Sequence, residues 1–273
     1  MSKVRLDVEM VRRGLAPSRE RARAEIMAGE VRVNGVPAQK AGQEIPEDAE
    51  IVVVEAAIPF VSRGGLKLDK AVRVFPIRLA GRVCADIGAS TGGFTDVMLK
   101  NGARRVYAID VGYGQLDWSL RNDERVTVME RTNARNMVPD WFPEPISFAS
   151  IDVSFISLRL ILPPLYNCLE EGGEVVALIK PQFEAGRGEV GKNGVVRDEA
   201  IHARVCRDTM AFADALGFSV LGLDYSPITG PKGNIEFLLY MQKCSPKNVA
   251  CVSDFDDYAC KTAANAHKTD DLR

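Results

Sequence analysis

Four polar side chains sit at the ends of elements, where a buried core has no use for them. Lys67 follows Arg63-Gly64-Gly65-Leu66, and Asp152 interrupts Ser150-Ile151-Asp152-Val153-Ser154-Phe155-Ile156. Lys180 closes Leu178-Ile179 ahead of Pro181-Gln182-Phe183, and Glu236 stands in Gly233-Asn234-Ile235-Glu236-Phe237. Two lysines and two carboxylates suit the removal of a proton from a weakly acidic hydroxyl, such as a ribose 2′-hydroxyl, and the stabilisation of the developing alkoxide. Desolvation and a neighbouring cation lower a lysine pKa, while carboxylates hold the ammonium in place. With a methyl donor already activated as a sulfonium, such chemistry calls for no metal and no covalent intermediate. Each residue alone reads as a surface charge; four at matching positions read as a site.

The element that must position them is written in Val83-Cys84-Ala85-Asp86-Ile87-Gly88-Ala89-Ser90-Thr91-Gly92-Gly93-Phe94-Thr95. An apolar strand runs into a small-residue turn and a helix start, so backbone can approach a nucleotide-like ligand without Cβ obstruction. Gly88, Ser90 and Gly93 miss the second glycine of a dinucleotide fingerprint. The pattern Asp86-x-Gly88-x-x-x-Gly92 instead resembles the first motif of class I S-adenosylmethionine (SAM) methyltransferases. Asp110, ending the next strand, can accept both ribose hydroxyls of an adenosine, a feature that serves NAD and SAM equally. The expected cofactor residues are Asp86, Gly88, Ser90, Gly92, Gly93, Phe94, Asp110 and Asp152. Asn133 is expected at the adenine edge and Phe155 on the sulfonium side.

From residue 66 onward strands and helices alternate, as in an open parallel sheet. Strands are expected at 83–87, 106–110, 126–130, 146–152, 174–179, 218–224 and 235–241. The last two flank a stretch too short for a crossover helix and should pair antiparallel. That terminal hairpin tips the cofactor toward SAM. The carboxyl ends of the parallel strands, with the early part of the last strand, form one edge where all four chemical residues can converge.

Residues 1–57 read as a separate module: two helices, a short strand into an Asn34-Gly35 hairpin turn, and a further strand near 51–54. A linker at 58–65 leads to a catalytic domain at 66–242. The segment 243–273 has little periodicity and is expected to be weakly ordered, with at best a short helix at 259–266.

Composition narrows the class. The net charge is −2, but residues 1–40 hold nine Lys/Arg and five Asp/Glu (net +4), against 26 and 32 in the rest (net −6). A basic N-terminal face on an acidic protein suggests a local phosphate-binding surface. Six cysteines without a C-x-x-C pair, and only two histidines, argue against zinc. The opening Met1-Ser2-Lys3-Val4-Arg5 reads as no signal peptide, and no apolar run is long enough for a membrane helix, so a cytoplasmic protein with free thiols is expected.

Residues 3–55, through Arg5-Leu6-Asp7, Ser18-Arg19 and Val31-x-Val33-Asn34-Gly35, resemble the S4 RNA-binding domain. Lys67, Asp152, Lys180 and Glu236 resemble the Lys-Asp-Lys-Glu tetrad of FtsJ-like ribose 2′-O-methyltransferases. With Asp110-Val111-Gly112-Tyr113-Gly114-Gln115-Leu116 and Lys180-Pro181-Gln182-Phe183-Glu184, the chain from 3 to about 242 resembles the TlyA (hemolysin A) family. The resemblance implies a small α+β S4 domain ahead of a Rossmann-like α/β domain with a mostly parallel seven-stranded sheet and an antiparallel last strand. It also implies SAM-dependent 2′-O-methylation of ribosomal RNA, on cytidine, with Arg5, Arg12, Arg13, Arg19 and Arg23 on RNA phosphates. A non-catalytic RNA-binding factor, an NAD oxidoreductase and a lytic protein are the competing classes. The intact quartet, the missing glycine and the lack of an amphipathic β pattern respectively count against them.

Overall fold

The computed structural model describes residues 3–16, 18–27, 29, 31–53, 58–186, 188–244 and 251–269. The chain divides into two compact units, one ending at Pro59 and one beginning at Phe60. The last residue of the expected strand at 51–54, residues 55–57 at the end of the expected N-terminal module, and residues 245–250 and 270–273 of the expected tail fall outside the described residues.

The first unit runs β1 (Lys3–Arg5), α1 (Leu6–Arg12), α2 (Arg19–Met27), β2 (Val31–Val33), β3 (Val36–Pro37), β4 (Glu44–Pro46) and β5 (Ile51–Val53). Strands β3-β2-β5 form one antiparallel sheet, and β1 pairs with β4. Asn34 and Gly35 take φ of 50° and 78°, the two left-handed residues of a type I′ turn, which matches the twist of the flanking strands. Leu6, Met10, Ala22, Ile26 and Val31 close a small core between the helices and the sheet.

The second unit begins α3 (Gly65–Val74), β6 (Val83–Ile87), α4 (Gly93–Lys100), β7 (Arg105–Ile109), α5 (Trp118–Arg121), β8 (Val126–Met129) and β9 (Ile146–Ile151). It continues α6 (Leu162–Cys168), β10 (Leu169–Ile179), α7 (Pro181–Glu184), α8 (Glu199–Leu216), β11 (Phe218–Tyr225), β12 (Phe237–Lys243) and α9 (Phe255–Lys268). Its seven strands lie in the order β11-β12-β10-β9-β6-β7-β8. Only β12 is antiparallel to its neighbours, β10 and β11. Alternation across the pleat sorts the side chains: Val83, Ala85 and Ile87 join one core, and Cys84 joins the other, with α4. β6 and β9 are parallel neighbours from which the strand order runs outward in opposite directions, β7 and β8 on one side and β10 on the other, so the crevice at their carboxyl ends is the natural ligand edge.

The segment after 243 differs from expectation. Helix α9 spans 14 residues and buries Ala259, Ala263 and Ala266 in the core that holds Val205, Met210 and Val220. Its apolar face is made of alanines, which is why no strong periodicity betrays it. Asp254 caps it, accepting a hydrogen bond from the Asp257 amide at 2.9 Å. His267 meets His202 of α8 ring to ring, its Nε2 2.9 Å from His202 Nδ1.

Candidate active site

Each member of the quartet is placed by a local rule. Lys67 lies in the first turn of α3, whose start presses against the start of α4. A Cβ on Gly93 would collide with Ser62 Oγ and sit 2.7 Å from the Gly65 nitrogen, so this helix contact requires glycine. Asp152 follows β9, its amide bound to the Ile87 carbonyl at 2.9 Å. Lys180 ends β10, where Pro181 starts α7 with a pre-set φ. Glu236 precedes β12, and its carbonyl accepts from the Ser226 amide at 2.8 Å.

The four form a chain of ion pairs. Lys67 Nζ donates to Glu236 Oε2 at 2.6 Å and to Asp152 Oδ2 at 3.2 Å. Lys180 Nζ lies 2.5 Å from Asp152 Oδ1 and donates to Ser154 Oγ at 3.0 Å. Lys67, Lys180 and Glu236 are buried. Burial disfavours the Lys67 ammonium, yet Asp152 and Glu236 outweigh it and hold its pKa above the ordinary lysine value. Burial likewise pushes the Asp152 carboxyl up, but Lys67 and Lys180 together hold it below its usual range. The arrangement is asymmetric: Lys67 faces two carboxylates, whereas Lys180 faces one carboxylate and a neutral hydroxyl.

The crevice beside this chain holds a fixed carboxylate acceptor. Asp110 Oδ2 accepts from the Ser90 amide at 2.8 Å and Oδ1 from the Gly112 amide at 2.7 Å, leaving lone pairs on both oxygens. Gly88 (φ 85°) brings the turn against β9, where an added Cβ would lie 2.6 Å from the Asp152 carbonyl oxygen. Ser90, also left-handed at φ 48°, is exposed at the tip. A backbone without Cβ at Gly88, a fixed carboxylate at Asp110 and the open Ser90 turn fit an adenosyl group.

Other expected cofactor residues stand elsewhere. Asp86 is fully buried beneath the turn, accepting from Thr95 Oγ1 at 2.7 Å and Ser150 Oγ at 3.2 Å, so it ties β6 to α4 and β9. Burial raises its carboxyl to about 7. Phe94 packs into the core, and Gly92 (φ 96°) is the left-handed cap of α4, held against Leu116 and Leu120. With Gly93 at the α3 contact, these four shape the crevice from behind and present no side chain to it. Asn133 is exposed and caps a short 3₁₀ turn, accepting from the Arg135 amide at 3.1 Å. Phe155 points outward, 91% exposed at φ 64°, with Phe183 beside it at 5.1 Å between ring centres.

The N-terminal arginines are not free solvated side chains. Asp7, fully buried, receives Arg5 through two bonds of 3.0 Å, Arg23 at 3.1 Å and Arg19 at 3.3 Å. Glu9 receives Arg12 through bonds of 2.6 and 2.7 Å and Arg13 at 2.6 Å. Arg13 also donates to the carbonyls of Ala49 and Glu47. Arg5, Arg19, Arg23 and Arg12 still keep about half of their side-chain surface exposed. The structure thus adds Asp7, Glu9 and Ser154 to the candidate residues. Spacing alone exposes Glu9, since Arg12 and Arg13 follow at i+3 and i+4; no sequence signal joins Asp7 to Arg19 and Arg23.

An open parallel sheet with an antiparallel last strand, a glycine turn at its switch point and an adjoining small α+β unit define a class I methyltransferase carrying an accessory domain. The chain belongs to the FtsJ-like methyltransferase family, whose model matches residues 60–243, and an S4 domain model matches residues 4–51. It is 47% identical over 241 residues to the 16S/23S rRNA (cytidine-2′-O)-methyltransferase TlyA of Mycobacterium tuberculosis, covering 88% of this chain and 90% of that protein. Hemolysin A of Brachyspira hyodysenteriae is 43% identical over 238 residues, 87% of this chain and 99% of the relative. A solved Streptococcus thermophilus protein that carries a hemolysin label superposes with a TM-score of 0.77 at 50% identity, covering 98% of this chain and 97% of that one. Among the described residues no helix is long and apolar enough to cross a membrane, and no group of three or more His, Cys, Asp or Glu could hold a metal ion.

Proposed function

We propose that this protein is a SAM-dependent methyltransferase acting on the ribose 2′-hydroxyl of ribosomal RNA, with cytidine as the target nucleoside, in the cytoplasm. The observation that carries the reading is the Glu236–Lys67–Asp152–Lys180 chain beside the Gly88–Asp110 crevice. The relatives named for ribosomal RNA methylation support the substrate class. When bound, SAM supplies a sulfonium methyl group that leaves its sulfur as the ribose oxygen takes it.

Lys180 accepts the hydroxyl proton on Nζ. It is the lysine to do so because Lys67, between two carboxylates, keeps its own proton while Lys180 shares the single Asp152 carboxylate with it. Asp152 orients the Lys67 ammonium and the Lys180 amine, which becomes an ammonium as it takes the proton, and Lys67 offsets the negative charge growing on the ribose oxygen. Asp110 takes the cofactor's ribose hydroxyls, Gly88 and Ser90 line its path, and Asn133 meets the adenine edge. Phe155, on strained backbone and backed by Phe183, offers a ring face to a nucleobase. The S4 arginines, fixed by Asp7 and Glu9, contact RNA phosphates.

The test is to incubate ribosomal RNA with the protein and SAM, then map ribose methylation by resistance to alkaline cleavage. A new 2′-O-methyl at a cytidine is the expected result. Methyl incorporation on a base, or none, would remove the assignment.

A further inference from the structure

Two loops next to Glu236 are fastened to each other by one buried amide. Asn234 is 3% exposed; its Oδ1 accepts from the Val196 amide at 3.1 Å and its Nδ2 donates to the Gly194 carbonyl at 3.0 Å. Each loop is also closed on itself. The Gly191 amide donates to the Val195 carbonyl at 3.1 Å and the Gly194 amide to Gly191 at 2.8 Å. In the other loop the Gly230 amide donates to the Asn234 carbonyl at 2.9 Å and the Gly233 amide to Gly230 at 2.8 Å. An asparagine buried to join two exposed loops makes their relative position part of the fold.

What the joined loops present is positive. Lys192, Asn193, Gly194 and Lys232 line an open cleft of about 580 Å³. Both lysines are exposed, and among the described residues neither makes an ion pair or a hydrogen bond. That sets them apart from the arginines around Asp7 and Glu9 and from the lysines of the quartet, all of which have partners. The nearby Glu189 is already engaged, by Arg204 at 2.5 Å and the Gly186 amide at 2.8 Å, and so does not neutralise the cleft. The turn at Gly194, which takes φ 74°, lies beside Lys232: a Cβ there would stand 3.6 Å from Lys232 Nζ, in ordinary contact.

The cleft is tied to the reacting end of the site. Gly230 lies against the Glu236 carboxylate, where an added Cβ would be 2.8 Å from Oε1. Lys232 is four residues from Glu236, a reach of at most about 14 Å along the chain. A strand with one ribose at Lys180 therefore has backbone phosphates a few nucleotides away within range of these lysines.

We propose that Lys192 and Lys232, held together by Asn234, form a preformed cradle for an RNA phosphodiester within a few nucleotides of the target ribose. The proposal rests on the RNA-methyltransferase reading above. It places a phosphate site in the catalytic unit itself, separate from the S4 arginines, and the unpaired ammonium groups lose no internal ion pair on engaging RNA.

The experiment compares the full chain with Lys192→Ala/Lys232→Ala and Lys192→Arg/Lys232→Arg double variants. Binding of ribosomal RNA is measured against salt concentration, and methyl transfer is measured in parallel. Two lost phosphate contacts should flatten the log–log salt slope by about 1 to 2. The KM for RNA should rise at least tenfold with kcat and SAM affinity unchanged, and the arginine variant should stay near wild type. An alanine variant with unchanged salt slope and KM would overturn the cradle. Wild-type protein that binds RNA but transfers no methyl group would overturn the function reading, while the salt slope still decides on the cradle.

Discussion

Lys67 Nζ and Glu236 Oε2 stand 2.6 Å apart although 169 residues separate them in sequence. The pair is buried, with side-chain exposures of 10% and 2%, and it joins the first turn of α3 to the start of β12. Removing one partner strands the other charge, a loss that typically costs about 3–5 kcal/mol. Lys67→Met should therefore lower the urea midpoint strongly as well as abolish activity, and Glu236→Gln, which keeps shape and hydrogen-bonding capacity, should cost less. A Lys67→Met protein as stable as wild type would mean that the pair adds nothing to the fold.

The S4 arginines should depend on their carboxylate. Asp7→Asn adds one net positive charge, which by itself favours RNA, but it removes the common anchor of Arg5, Arg19 and Arg23. Weaker RNA binding despite the added charge is the expected result; tighter binding would show that net charge alone matters there. The Arg5 guanidinium leads in holding the Asp7 carboxyl below its usual range, and Arg12 leads in lowering Glu9 to about 2. Depressed carboxyls favour the folded state above their unfolded pKa near 4, and this support drains away as pH falls toward about 2.

Docking of α9 should carry a pH signature. Burial first, and then His267, lower His202 from 6.5 to about 4, opposed by a hydrogen bond with the Val196 backbone and by Asp198 at the start of α8, with the Phe237 ring packed alongside. Between those values the unfolded chain binds the extra proton, so stability rises with pH through this window and is lost as pH falls through it. The full effect is on the order of 3 kcal/mol. Unfolding titrations of wild type and His202→Gln should diverge from pH 4 to 6.5; parallel curves would remove the histidine contact from the account.

Phe155→Ala should leave stability within about 0.5 kcal/mol, as suits an exposed side chain. The KM for RNA should rise while SAM affinity holds. A selective loss of SAM binding, measured by calorimetry, would put the ring on the cofactor side instead.

The quartet was legible because Lys67, Asp152, Lys180 and Glu236 stand at the ends of helices and strands, where charge has no packing role. The strands were legible for the same reason: five consecutive buried residues in β6 leave few alternatives. What the glycine-rich turn does not tell is direction. Asp86, Phe94 and Gly93 belong to the same motif as Gly88 and Ser90, yet they face the core or α3, because the turn reverses which side of the chain meets solvent. The strand at β10 starts at Leu169, five residues earlier than its apolar run suggests, across an irregularity between Leu169 and Glu174. Helix α9 escaped because alanine and threonine supply its buried face, and the signal that would have found it was the cap at Asp254.

The central claim is that Lys180 takes the ribose proton, and Lys180→Arg tests it most directly. Arginine keeps the positive charge and a bond to Asp152, but it stays protonated and accepts no proton. Single-turnover methyl transfer to ribosomal RNA should fall to the level of Lys180→Ala, with SAM and RNA affinities near wild type. Wild-type turnover in the arginine variant would contradict the account and make Lys180 a fixed charge, leaving the proton to another base.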